Sequence, residues 1–393
     1  MNNIFKGALV LALTLSLSGC HIYQKYETPT DTPLTKSYAE ALAQEPDSTA
    51  FGNLPWQEVF TDPVLVDLIN RALANNTDLR NAQLNVEAAQ AQVLGAKLAY
   101  LPSVALAPNG AGAKYASNDF SWTYQLPAQV SWEVDIFGKL LNNKRSAQVA
   151  LIQTEAYAQA VRSQIISAVA TTYYTLSAVK QQLALSRSTS ELWKETVNTM
   201  RDLKEAGRTT EAAVMQSEAS YFSILGSITD LETSIVSLNN TMSLLLNTYP
   251  QEWDVTDKVD IQVPQILRAG VPMSELAVRP DVRAAEQGLA AAYYATSSAR
   301  AAFYPTLTLG VGGGFTNALG SFIQNPGKWF YNLTGSLTAP LFSRGQNIAR
   351  LKGAKAQQQQ ALNTFEYTLL SAAAEVKDAI TVYDKSFEKS SLL

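Results

Sequence analysis

The triplet Asp78-Leu79-Arg80 precedes Pro102 and the alternating run Ser103-Val104-Ala105-Leu106 by the same interval that separates Asp281-Val282-Arg283 from Pro305 and Thr306-Leu307-Thr308-Leu309. The two stretches lie about two hundred residues apart and align without a gap, and a fixed-interval echo of this kind marks a tandem duplication. The chain is therefore built twice from one plan, a helix followed by strands. Laid against the first copy, the second is expected to reach its helical tip past Leu393, so its helical hairpin is expected to be incomplete within these residues.

The strands carry an unusual alternation. Between Trp122 and Val134 the even positions are Trp122, Tyr124, Leu126, Ala128, Val130, Trp132 and Val134, while the odd ones include Thr123, Gln125, Gln129, Ser131 and Glu133. In the second copy Trp329, Tyr331, Leu333, Leu337 and Leu341 share one face, with Asn332, Thr334, Ser336 and Thr338 on the other. Soluble strands average about five or six residues. Runs this long suit tilted strands that cross an outer membrane, apolar outward and polar inward. Trp122, Trp132, Phe137, Tyr304, Trp329 and Phe342 cluster toward the strand ends, as interfacial aromatic girdles do. Gly310-Val311-Gly312-Gly313-Gly314-Phe315 has a superficial likeness to a dinucleotide loop, but Phe315 stands where the third glycine belongs and no helix opens there.

The helices are equally distinctive. Asp62-Pro63 opens one, with Leu65, Leu68, Ile69 and Ala72 on a common face, and a second is expected from about Asp78 to Ala99. From Leu140 to Ala206 there is neither proline nor glycine, enough for about 100 Å of helix. Its apolar positions step by three and four through Val161, Ile165, Val169, Tyr173, Leu176, Val179 and Leu183. Gly207-Arg208-Thr209-Thr210 supplies a C-terminal glycine and then a capping threonine. A return helix follows through Met215, Phe222, Leu225, Ile228, Leu231, Ile235, Leu238, Met242 and Leu245. The fold class expected is mainly α with a β-barrel portion: long antiparallel coiled-coil helices plus four transmembrane strands per chain. Four strands cannot close a barrel, and bare edges are not tolerated in lipid. Closure therefore requires several copies of the chain.

The N-terminus fixes the compartment. Lys6 and the short apolar run from Gly7 to Leu17 form a signal peptide over residues 1–19, ending in Leu17-Ser18-Gly19-Cys20. That is a lipobox, which makes Cys20 the lipidation site. His21, rather than Asp, follows it and favours the outer membrane. With Cys20 and His21 the only cysteine and histidine, a thiol nucleophile, a histidine base or a multi-histidine metal site is unavailable, so an enzyme is not expected, nor any cofactor or metal. A net charge of -4 offers no footprint for nucleic acid. Residues 20–61 read as a lipidated linker, extended through about residue 54. The first repeat spans 62–248, with a β-hairpin at about 102–136 and a helical hairpin at about 139–247. Residues 249–278 link it to the second repeat, 279–393, whose β-hairpin lies at about 304–342.

These pieces together resemble a family. The lipobox at Cys20, Leu54-Pro55-Trp56 with Phe60 and Asp62-Pro63-Val64-Leu65, and Trp132-Glu133-Val134-Asp135-Ile136-Phe137-Gly138-Lys139 recur in order. So do Arg279-Pro280-Asp281-Val282-Arg283, Phe303-Tyr304-Pro305 and Pro340-Leu341-Phe342. The chain resembles the TolC-like outer membrane factors of tripartite export systems, and most closely their NodT-like lipoprotein branch. The resemblance implies a homotrimer whose strands form one twelve-stranded barrel, a periplasmic tube of helices, a periplasmic adaptor protein and an inner-membrane pump of the RND type. It implies adaptor contact at the hairpin tip, Ala206, Gly207, Arg208 and Thr209. It also implies a barrel lumen lined by Gln125, Gln129, Glu133, Asn332 and Thr334, with Lys114 nearby. Asn247-Thr248-Tyr249 departs from the Leu-Gly that usually ends this helix, and Gln357 to Gln360 read as a solvated helix face. The function implied is a passive conduit for drugs, toxic compounds or metal ions. A competing reading is a structural or adaptor-like periplasmic lipoprotein whose strands form a small soluble domain, and a carboxylate-dependent hydrolase is a weaker third.

Overall fold

A computed structural model describes residues 23–43, 55–114, 120–256, 273–317 and 328–392. In chain order the elements are α1 (Pro33–Leu42), α2 (Trp56–Val59), α3 (Pro63–Asn75), α4 (Thr77–Leu98), β1 (Ser103–Leu106), β2 (Asn109–Ala113), β3 (Ser121–Val134), α5 (Lys139–Glu205), α6 (Glu211–Leu245), α7 (Met273–Ala277), α8 (Pro280–Ala301), β4 (Thr306–Asn317), β5 (Lys328–Thr338) and α9 (Gln346–Leu392). They group into two compact units. The first takes residues up to 44, 85–156 and 276–375, and the second takes 45–84, 157–275 and the residues from 376 onward.

The first unit holds the sheet, an antiparallel meander in which β3 pairs β4 and β4 pairs β5, with β1 and β2 both on the free side of β3. β1 and β2 keep one continuous register against β3, Val104 opposite Val130 and Gly112 opposite Trp122. They are thus a single strand interrupted at Ala107-Pro108, and the count of four strands stands. The interruption has a cause across the ladder. Ala107 donates its N–H to the Pro127 carbonyl at 3.0 Å, but Pro127 has no N–H to return.

The N-terminal segment of this unit departs from the extended linker expected of the sequence. Thr32 caps α1 through a reciprocal pair with Thr35, and Pro33 occupies the first turn, a sound helix start. Tyr38 is then fully buried with its ring 5.0 Å from that of Phe365, edge to face. Upstream, the Tyr26 N–H donates to the Tyr294 hydroxyl at 3.1 Å, and Thr28 and Thr32 donate to Glu286 and Glu366. Tyr23 donates to the Ile136 carbonyl at the end of β3. Residues 23–43 form a strap fixed along α8, α9 and the start of α5. Burial, aided by the nearby Glu286 carboxylate, pushes the Tyr26 and Tyr38 phenols far up, so both stay neutral.

The second unit has an ordinary buried core. Leu65, Leu68, Ile69 and Ala72 of α3 pack with Leu79 of α4, with Ile165, Val169, Tyr173 and Leu176 of α5, and with Met242 and Leu246. Asp62 caps α3 by accepting from Val64 and Leu65 N–H, and the Tyr173 hydroxyl donates to its other oxygen at 2.7 Å. Burial works against the Asp62 carboxylate, but the hydrogen bonds from Tyr173, Thr256 and the helix N–H groups outweigh it and hold its pKa below the usual range. Asn76, at the expected interruption, accepts from Asp78 and Leu79 N–H and donates to the Leu245 carbonyl, so it caps α4 and ties it to the end of α6. Asn247 adopts φ +52°, which asparagine tolerates better than other side-chain-bearing residues, so it stands in for the glycine usual at such a helix end.

Candidate functional site

Directly opposed residues of an antiparallel sheet share a face. Val104, Val130, Val311 and Leu333 form one row across all four strands, and Leu126, Phe315 and Trp329 form another. Most of this face is open: Val104 is 73% exposed and Leu333 80%, while Val130 and Leu307 are half-buried. A continuous apolar face of this size demands an apolar environment. Aromatic pairs frame it, Phe137 stacked on Tyr304 at 4.9 Å at the helix end of the sheet and Trp329 on Tyr331 at 5.8 Å on β5.

The opposite face is polar and collects the expected residues. Gln129 and Asn332 share a row with Gly312 between them, and Thr334 shares the next with Gly310 and Ser131. Gln125 lies opposite Asn109, and Glu133 opposite Thr308. Lys114 follows β2 beyond its last paired residue, so the register assigns it to neither face. Sequence reasoning missed what the glycines do. A Cβ on Gly312 would overlap the Asn332 amide and one on Gly310 the Thr334 hydroxyl, so both side chains lie across β4 because it is bare there. The alternation of Gly310, Gly312 and Gly314 could have signalled this. The face is also not uniformly polar, since Pro127, Gly314 and Phe330 fall in one row.

Glu133 is ion-paired with Lys139, Nζ to Oε1 2.9 Å. At 100° per residue, Lys139 lies on the same flank of α5 as Asn143, Ser146, Ala147 and Ala150. That flank lines a cleft of about 640 Å³ within the first unit, with Gln92 of α4, Ser298 of α8, and Arg350 and Gln357 of α9 among its other walls. The cleft and the polar sheet face therefore open to the same side. Gln357 is exposed, as expected of a solvated helix face, and also borders this cleft.

At the hairpin end of the second unit, α5 stops where Gly207 takes φ +72°. Gly207 N–H donates to the Lys204 carbonyl and Arg208 N–H to the Leu203 carbonyl at 2.8 Å, a glycine-terminated helix end. Thr210 then caps α6 by accepting from Ala213 N–H. Behind the tip the helices are laced by Lys204 with Glu211, Arg201 with Glu218 at 2.6 Å, and Arg187 with Glu232 at 2.7 Å. Ala206, Gly207 and Arg208 are exposed and Thr209 is half-buried. Arg208 has no ion-pair partner among the described residues. The return helix differs from its expected seam, because Met215 and Phe222 are exposed whereas Val214 and Ser217 are buried.

The Arg279-Pro280-Asp281 motif proves to be a clamp. The Arg279 guanidinium holds Asp281 at 2.8 Å and Glu375 of α9 at 2.6 Å, joining the start of α8 to α9. Burial would raise the Asp281 pKa, but Arg279 outweighs it and holds the carboxyl below its usual range. Cys20 lies outside the described residues. Among those described, no His, Cys, Asp and Glu group could hold a metal, and no helix is long and apolar enough to cross a membrane.

An amphipathic sheet with a lipid-seeking face, mounted on coiled helices, defines a membrane-inserted transport component. A family model described as outer membrane efflux protein matches residues 68–248 and 271–393, and the chain belongs to that family. The toluene efflux pump outer membrane protein TtgF of Pseudomonas putida is 30% identical over 392 residues, covering 95% of this chain and 80% of TtgF. The probable outer membrane lipoprotein SilC of Salmonella typhimurium is 28% identical over 389 residues, covering 96% and 82%. Among solved structures, the outer-membrane channel OprN superposes with a TM-score of 0.80 at 27% identity, covering 94% of this chain and 84% of OprN. The chain is an efflux channel component of the bacterial outer membrane.

Proposed function

We propose that the chain is the outer-membrane conduit of a tripartite export assembly, and that three copies close the four-strand sheet into one twelve-stranded barrel. The observation that carries this is the sheet itself. Its apolar face is largely open, most of all at its edges, and its outer strands, β1 with β2 and β5, each have one neighbour among the described residues. The apolar face calls for lipid, and the open edges are not stable there until they are paired. In the closed barrel Gln125, Gln129, Glu133, Asn332 and Thr334 line the lumen. The exposed Met215 and Phe222 on α6 suit helix neighbours supplied by other copies.

The tip from Ala206 to Thr209 meets a periplasmic adaptor, and an inner-membrane pump of the RND type supplies the energy. Solutes such as drugs, toxic compounds or metal ions pass without chemistry. A lipid on Cys20 adds an anchor in the outer membrane. Purified protein in detergent is expected to sediment as a trimer and to produce steady conductance in planar bilayers. A monomer that stays silent in bilayers and leaves membranes in high salt without detergent would instead support a peripheral lipoprotein.

A further inference from the structure

We propose that the cleft of the first unit is a contact site for small organic anions that carry a planar apolar group, placed on the export route. The placement on that route rests on the conduit reading; the chemistry of the cleft does not. The strap docks on Arg145 of α5, on Glu286 and Tyr294 of α8, and on Phe365 and Glu366 of α9. At 100° per residue Tyr294 shares a flank of α8 with Ser298, and Phe365 a flank of α9 with Ala354, so the strap and the cleft share faces of these helices. Lys139 lies on the flank of α5 that lines the cleft, and its pair with Glu133 places that flank beside the polar sheet face.

Its lining names the ligand class. The floor is shallow and apolar, made of Ala147, Ala150, Ala295, Ala299 and Ala354. Gln92, Asn143, Ser146, Ser298 and Gln357 supply amides and hydroxyls, and Arg350 is the one charged residue in the lining. Arg350 has no ion pair among the described residues. The reason is written in the chain: between Glu286 and Glu366 there is no Asp or Glu, but there are Arg300, Lys328, Arg344, Arg350, Lys352 and Lys355. The one carboxylate known to face this side from β3, Glu133, is already neutralised by Lys139.

A guanidinium presents a planar fork that matches a carboxylate or sulfonate, and concave walls strengthen its field. Gly353 lines the same cleft. Nothing stands within 4 Å of where its Cβ would be, so the space beside it is open.

The test uses the full chain purified in detergent, with naphthalene-1-sulfonate as the anionic probe and 1-naphthol as its neutral counterpart. Saturable binding of the sulfonate is expected, tighter than that of the naphthol. Arg350→Gln is expected to weaken it about tenfold, the scale of one charge-assisted contact. Gly353→Phe is expected to abolish it by filling the cleft while Arg350 remains, and circular dichroism checks that the helices persist. Arg344→Gln, outside the cleft, is expected to leave binding unchanged. Wild-type binding in folded Arg350→Gln or Gly353→Phe, or equal affinity for the two probes, overturns the site. Bilayer conductance of the same preparations separates the two ideas. A conducting channel without this binding overturns the site alone, and binding without conductance overturns the conduit and keeps the site.

Discussion

The row Val104, Val130, Val311 and Leu333 and the cluster Val169, Leu176, Met242 and Leu246 are made of similar aliphatic side chains, yet the first is open and the second buried. The helical cluster satisfies itself within the chain. The sheet, one layer thick, has nothing among the described residues to cover it, so its driving force must come from lipid. The same hydrophobic residues thus stabilise the two regions through different solvents.

That contrast can be broken at several levels. Leu176→Ala is expected to cost about 3–4 kcal/mol in a denaturant melt, since Leu176 is fully buried, whereas Leu333→Ala should cost far less in detergent. Similar losses at both positions would erase the distinction. Val311→Arg is expected to cost about 2–3 kcal/mol of barrel stability in lipid vesicles, because its row lies well inside the strands, and Gln129→Arg on the opposite face should cost little. A tolerated arginine at 311, read by vesicle flotation and protease protection, would make the sheet a water-facing one.

Next in size is Asp62→Ala, expected to cost about 1 kcal/mol through the lost helix cap. Because folding lowers the Asp62 pKa, its contribution is present above the unfolded carboxylate value and lost as pH falls through the folded one. The gap between wild type and Asp62→Asn should therefore narrow in acid, and a gap that widens there would contradict the hydrogen-bond account. The smallest stability effect is expected for Arg208→Glu, within about 0.5 kcal/mol. On the adaptor reading it should still weaken pull-down of the periplasmic adaptor, and unchanged capture would remove Arg208 from that contact.

Much of this was legible in the chain, for identifiable reasons. Strand faces follow a period of two, so Gln129 and Asn332 could be assigned to one face without coordinates, and their shared row confirms the alternation. The Gly207 turn and Thr210 cap are local chemistry and were equally readable. The strap was not, because Tyr38 is buried by Phe365, a partner far along the chain. Met215 and Phe222 misled because one helix face can be apolar toward a seam or toward a neighbour, and spacing alone does not distinguish them. The cleft was invisible for a related reason: its walls come from four helices, each contributing small or amide residues with no motif of their own.

The interruption at Ala107-Pro108 also bears on how this edge meets a partner strand. Ala107 directs its N–H inward to Pro127, so the residue after it faces outward along the ladder, and that residue is proline. A strand arriving at this edge finds one donor missing partway along. Sliding the partner moves that gap against a different carbonyl, so the proline works as a notch that indexes alignment. An edge marked in this way is better suited to closing a ring in one register than to recruiting strands without end.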